Sequence, residues 1–189
     1  MQNRDITPID RFLSGLDDAL RTVAAPAGKP ARANPAEQVS EAEFTDKQKA
    51  HAAGLMRVNH AGEIAAQGLY QGHAAVARDA AIERQMQYAA DEEHDHLAWC
   101  EQRLAELDSQ PSRLSPIWYA GSFLIGAASG LLGDRWSLGF IAETEKQVCA
   151  HLTSHLDSLP DNDARSRTIV ARMREEEQKH GEDACLLYT

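Results

Sequence analysis

Residues 92–96 read Glu92-Glu93-His94-Asp95-His96, and residues 176–180 read Glu176-Glu177-Gln178-Lys179-His180. Both are Glu-Glu-x-x-His. Three residues along an α-helix put Glu93 and His96 on one face, and Glu177 and His180 likewise. Alone, two such pairs are weak evidence, but each has an acidic partner at a matching distance upstream. Glu63 precedes Glu93 by 30 residues, and Glu145 precedes Glu177 by 32. The midpoint of the second pair falls at 161, just after Pro160, and that of the first at 78, beside Asp79. In an antiparallel helical hairpin, residues equidistant from the turn stand at one height. Each half of the chain therefore brings one Glu level with a Glu-x-x-His.

The sequence around these residues reads as helix. Strand-like alternation and Asn-Gly or Asp-Gly hairpin turns are absent, and good helix formers abound. Helices are expected at about 45–76, 80–107, 115–132, 135–158 and 162–186. Ser40-x-x-Glu43 and Thr45-x-x-Gln48 both offer capping boxes for the first. Asp79 can cap the second, and Asp108, Ser109 and Pro111 end it. Gly133-Asp134 separates the third from the fourth, and Leu159-Pro160-Asp161 turns into the fifth. Long helices joined by short turns make a bundle.

A core-facing stripe should be apolar, and four stripes break that rule. They run Met56, Asn59, Glu63, Ala66, Tyr70, His73; then Ile82, Met86, Ala89, Glu93, His96, Cys100, Leu104. The other two run Leu138, Ile141, Glu145, Val148, Leu152, His155 and Ile169, Met173, Glu177, His180, Ala184, Leu187. A buried, unpaired carboxylate costs several kcal/mol even after relaxation. Four at one level repel one another, and no Lys or Arg stands on these stripes near that level. Two divalent cations would neutralise four carboxylates, with two neutral imidazoles completing the ligand set. Oxygen and imidazole donors without thiolate suit iron or manganese better than zinc. One Glu from each of two helices and Glu-x-x-His from two others is the ligand set of ferritin-like two-metal proteins.

The remaining composition narrows the function. The chain has 189 residues, 43% of them hydrophobic, and a formal charge of −10. That excess of acid argues against nucleic acid as a partner and against electrostatic attachment to anionic lipid. Three cysteines without CxxC spacing give no disulfide framework, so a reducing compartment is the simpler reading. Residues 1–23 carry Asp5, Asp10, Asp17 and Asp18 and no apolar run, unlike a secretory signal or a transit peptide. Ile9, Phe12, Leu13, Leu16, Leu20 and Val23 recur at helical spacing. Residues 24–39, with Pro26, Gly28, Pro30 and Pro35, read as a flexible linker. The expected division is an N-terminal amphipathic segment and linker over 1–43 and a helical metal domain over 44–189. Residues 114–133 form a 20-residue run without a charge. The run joins the two hairpins, so a single membrane crossing would split the metal site between the two sides. It is expected as a buried crossover helix or as an apolar surface lying on a bilayer. Gly126-x-x-x-Gly130 would permit close helix packing.

Beyond this physical reading, the run Leu55-Met56-Arg57-Val58-Asn59-His60-Ala61-Gly62-Glu63, followed by Tyr70-Gln71-Gly72, resembles the demethoxyubiquinone hydroxylases of ubiquinone biosynthesis. Glu92-Glu93-His94-Asp95-His96-Leu97, Glu145 and Glu177-x-x-His180 match as well, so the resemblance covers about residues 45–186. It implies a ferritin-like di-iron monooxygenase that puts one atom of O2 on the ring of a demethoxy-polyprenyl quinol and releases the other as water. By position, Glu63 and His96 would be terminal ligands of one iron and Glu145 and His180 of the other, with Glu93 and Glu177 bridging. Some relatives carry a Tyr after the residue matching His151; here Leu152 stands there. The resemblance further implies peripheral attachment to the cytoplasmic face of a bacterial inner membrane through residues 114–133. A homo-oligomer or a complex of biosynthetic enzymes would fit the same setting.

Other residues are weighed beside these. Glu92 and Glu176 could accept hydrogen bonds from the imidazole of the opposite half. His151 could approach the rim of the site, though a surface histidine is favoured. No GxGxxG fingerprint is present, so an external reductant is expected, NADH being one candidate. The rival readings are a ferroxidase or rubrerythrin-like peroxidase, which would not need the apolar 114–133 segment, and an inert iron-binding protein.

Overall fold

The computed structural model describes residues 17, 19–23 and 28–188. Among them, every regular element is helical. Thr45 opens α1 (Asp46–Val76): its hydroxyl accepts from the Gln48 N–H while the Gln48 side chain accepts from the Thr45 N–H. The competing box at Ser40 opens no helix. α2 (Ala80–Glu106) is followed by Asp108 in the left-handed conformation. α3 (Ser115–Leu131) starts with Pro116 in its first turn, where a missing N–H costs nothing. Gly133, at φ +117°, reverses the chain into α4 (Asp134–Ser158). Asp163 Oδ1 accepts from the Ser166 N–H at 3.0 Å and caps α5 (Ala164–Tyr188). These bounds lie within two residues of those expected.

α1 pairs with α2 and α4 with α5, and α2 lies beside α5. Two helical hairpins thus face each other as a four-helix bundle. The expected stripes point inward, with Ile82, Ala66 and Val148 half-buried at their margins; Leu187 lies outside the described side chains. Two apolar layers result. One gathers Ala52, Met56, Trp99, Cys100, Leu104, Leu152, Ile169 and Met173. The other gathers Tyr70, Met86, Ala89, Leu138, Ile141 and Ala184. The ionisable residues occupy the level between them.

α3 lies along the outside of α1, seated by interlocking glycines. A Cβ on Gly72 would collide with the Phe123 carbonyl, and one on Gly126 with that of Leu69. Gly68 and Gly130 are also crowded, against the Tyr119 carbonyl and the Val76 side chain. At its far end, Ser129 Oγ and Ser137 Oγ stand 3.0 Å apart, and Ser137 Oγ is 3.0 Å from His73 Nδ1, which joins α3, α4 and α1.

The flexible-linker expectation needs correcting over residues 28–39, which are strapped across α2 and α5. Ala36 is fully buried in the first apolar layer. Arg165 donates to the Val39 carbonyl at 2.6 Å. Just beyond, Glu41 joins Glu106 and Asp163 around the buried Arg103 guanidinium. Long-range side-chain pairing, which leaves no periodic trace in sequence, holds this segment. Residues 24–27 and the stretch Ile9, Phe12, Leu13 and Leu16 lie outside the described residues. Ala19 and Val23 pack against Ile64, Leu97 and Tyr119.

Candidate metal centre

α1 supplies Glu63, α2 supplies Glu93 and His96, α4 supplies Glu145, and α5 supplies Glu177 and His180; all six are buried. His96 Nδ1 lies 3.1 Å from Glu93 Oε2, 3.2 Å from Glu177 Oε1 and 3.6 Å from Glu63 Oε2. His180 Nδ1 lies 3.2 Å from both Glu177 Oε2 and Glu93 Oε1. Glu93 and Glu177 therefore each face both imidazoles. The opposite ring nitrogens point away from the centre and cross between hairpins: His96 Nε2 is 2.6 Å from Glu176 Oε2, and His180 Nε2 is 2.8 Å from Glu92 Oε2. Glu145 accepts a 2.6 Å hydrogen bond from the Tyr70 hydroxyl. Gly181 lets α5 pass close to it, since a Cβ there would meet Glu145 Cβ at 3.3 Å.

His151 is not part of this arrangement. It is exposed, and its ring lies tilted against His155, with centroids 4.0 Å apart and planes at 55°; His155 in turn bonds Asn59. Six residues past Glu145 is about one and two-thirds turns, which carries His151 to another face of α4. Tyr70 was legible only as a core residue. Its hydroxyl reaches Glu145 across 75 positions, and it also lines a cavity of about 290 Å³ with Gln67, Gln71 and His94. Arg32 and Asp95, which meet beside the ring at 2.6 Å, gave no signal: one falls in a proline-rich segment and the other between two stripe residues.

Burial sets the charges in the ring. It pushes the Glu63 carboxyl well above its ordinary value, and the Glu93 charge adds to the rise. Burial, with the Glu177 and Glu93 charges, does the same to Glu145. Burial opposes Glu93 as well, yet the His96 charge and the closeness of both imidazoles hold it well below the carboxylate range. Burial would lower the imidazoles, but Glu93 and its neighbours drive His96 well up, and Glu177 and Glu93 take His180 to about 12. Protons on imidazole and carboxyl thus balance the ring when side chains act alone. Divalent cations would supply the same balance with the carboxylates ionised and the imidazoles neutral. The donor set fits that role. Single ligand atoms of Glu63, Glu93, His96 and Glu177 lie within 4.8 Å of one another. Glu93 Oε1 is buried without accepting a hydrogen bond, although His180 is near, leaving a lone pair to offer.

Two antiparallel helical hairpins enclosing Glu, Glu-x-x-His, Glu and Glu-x-x-His define a ferritin-like carboxylate bundle. Comparison with known proteins narrows the class. The chain belongs to the family described as Ubiquinone biosynthesis protein COQ7, which it matches over residues 50–187. It is 53% identical over 176 residues to the 3-demethoxyubiquinol 3-hydroxylase of Chromobacterium violaceum, spanning 93% of this chain and 85% of that one. The protein of the same name from Ralstonia pickettii is 54% identical over 187 residues, with 93% and 86% covered. That from Xanthomonas oryzae pv. oryzae is 54% identical over 180 residues, with 94% and 82% covered.

Proposed function

We propose that this chain hydroxylates the ring of a demethoxyubiquinol with O2 at a di-iron centre. The observation that carries the reading is the buried ring of four carboxylates and two imidazoles, in a chain more than half identical along nearly its whole length to 3-demethoxyubiquinol 3-hydroxylases. Glu63 and His96 would hold one iron, Glu145 and His180 the other, and Glu93 and Glu177 would lie between them. When bound, the iron pair supplies the redox chemistry by which O2 is activated. The balance is one ring C–H, O2, two electrons and two protons giving one C–OH and one water. The electrons come from an external reductant, for which NADH is a candidate.

The protein's own part is positioning and exclusion. Glu176 and Glu92 fix the two imidazoles from outside the ring, and Tyr70 fixes one oxygen of Glu145. The apolar layers on either side keep bulk water from the centre. α3 turns its small residues toward α1 and leaves Ile117, Trp118, Leu124, Ile125 and Leu131 exposed. No described helix is long and apolar enough to cross a membrane. This face supports a peripheral seat on lipid, where a polyprenyl quinol dissolves, and the free cysteines agree with the cytoplasmic side of a bacterial inner membrane.

The test is to give iron-loaded protein a reductant, ¹⁸O2 and a short-chain demethoxyquinol. The expected product carries one ¹⁸O on the ring. Consumption of O2 with an unchanged quinol would overturn the hydroxylase reading in favour of a ferroxidase.

A further inference from the structure

The two halves of the ring differ in what stands behind the histidines, and the difference comes from the strap. Arg32 Nη1 donates to Glu176 Oε1 at 2.5 Å, while the other oxygen of that carboxylate meets His96 Nε2 at 2.6 Å. Arg32 Nε donates to Asp95 Oδ2 at 2.6 Å, and the Ala31 N–H donates to Asp95 Oδ1 at 2.7 Å. Asp95 directly precedes His96 and is buried. The guanidinium lies 5.1 Å from the centre of the Trp99 ring, which is itself 5.4 Å from the His96 ring. One arginine thus grips the carboxylate behind His96, the residue before it and the indole beside it.

Among the described residues the other half has a weaker grip: Arg32 reaches only the main-chain carbonyl of Glu92, to which Nη2 donates at 3.4 Å. Glu92 receives His180 on Oε2, but its Oε1 is 3.8 Å from Arg32, beyond hydrogen-bond distance. Arg172 also reaches Glu176 Oε1, at 2.6 Å, from a half-exposed position one turn along α5. It touches neither Asp95 nor Trp99 among the contacts described, so it can add charge but cannot lock α2. A planar guanidinium can bridge two carboxylates at fixed angles, which an ammonium cannot.

We propose that Arg32 is a positioning residue for the His96 side of the ring, which makes the N-terminal strap part of the metal-binding machinery; this rests on the metal reading above. The two iron sites are then unequal by construction. The one using His96 is preorganised from outside the bundle, and the one using His180 is looser.

The test uses full-length protein carrying Arg32→Gln, Arg32→Lys or Arg172→Gln. Each is titrated anaerobically with Fe(II), followed by calorimetry and by magnetic circular dichroism of the ferrous bands. The imidazole ¹⁵N resonances are read in the same proteins without metal. Arg32→Gln is expected to weaken one of the two sites by about 10- to 100-fold, the usual effect of losing a group that orients a metal-bound histidine. It also alters the ferrous spectrum and shifts the His96 nitrogens more than those of His180. Arg32→Lys recovers part of the loss, and Arg172→Gln leaves isotherm and spectrum close to wild type. If Arg32→Gln lowers the melting temperature but leaves isotherm, spectrum and His96 resonances unmoved, Arg32 merely anchors the strap and the proposal fails. Should the Gln variant not fold, a wild-type isotherm from the Lys variant overturns it equally. Wild-type protein that takes up no Fe(II) overturns the metal reading itself, and is told apart because wild type and variants then give the same flat titration.

Discussion

Glu93 and Glu177 come from different hairpins, yet each presents one oxygen to each imidazole. No other pair in the ring has that symmetry, so in the proposed di-iron site these two are the residues whose loss would disturb both metal positions at once. Glu93→Ala or Glu177→Ala is expected to drop bound iron from two per chain to less than one and to abolish hydroxylation, as read by elemental analysis and product assay. Retention of both irons would refute their place between the metals. A second prediction concerns His60, buried in α1 with no hydrogen-bond partner for Nδ1 among the described residues. Burial holds its imidazole down at about 4, below the ordinary 6.5. The unfolded chain therefore takes up this proton first. The stability carried by neutral His60 is complete above pH ~6.5 and is lost as pH falls toward 4. Relative to His60→Leu, the wild-type unfolding free energy should fall by roughly 2 kcal/mol between pH 7.5 and pH 5, measured by urea denaturation. A difference independent of pH would mean that His60 titrates freely in the folded protein.

Helices explain which parts of the molecule the sequence discloses. The bundle and the level of the ring were legible because both depend on local periods: stripes repeat every three or four residues, and equal spacing about a turn sets height. The strap was not, because Arg32 and, just beyond it, Glu41 are held by Asp95 and Arg103, more than 60 positions away. For α3, every residue in the run is small or apolar, so periodicity cannot say which face is buried. The glycines decide it: Gly68 and Gly72 of α1 receive the backbone of Tyr119 and Phe123, while Gly126 and Gly130 of α3 receive Leu69, His73 and Val76. Adding one methyl at Gly126 or Gly72 should destabilise the fold by about 1–3 kcal/mol, because backbone stands where the methyl must go. Gly54→Ala, with nothing within 4 Å of its new methyl, should instead be neutral or stabilising by up to ~1 kcal/mol, since alanine is the better helix former. Urea midpoints of the three variants check both signs together. A harmless Gly126→Ala would mean that α3 does not sit against α1 at this distance.

For the molecule as a whole, charge and apolar surface pull in different directions, and that opposition identifies the force that would hold it to lipid. A net charge of −10 is repelled by anionic headgroups. Yet α3 exposes a row of large side chains, with Ile117 at 63%, Leu124 at 68% and Leu131 at 63% of their full surface. Those residues recur at spacings of seven, which keeps them on one face of the helix, opposite the glycines that meet α1. Docking on lipid, as proposed, would therefore be apolar, and each leucine immersed would be worth about 1.5–3 kcal/mol. Wild-type protein is expected to float with neutral phosphatidylcholine vesicles. Raising salt to about 1 M, where the Debye length is ~3 Å, should not release it. Leu124→Glu with Leu131→Glu should weaken partitioning on the order of a hundredfold. The same double variant should leave the Fe(II) isotherm unchanged, because neither side chain borders the ring. Release by salt, or undiminished flotation of the double variant, would show that some other surface carries the contact. If instead the wild type fails to float and sediments as a dimer that the double variant dissolves, the apolar row is the interface between two copies of the chain.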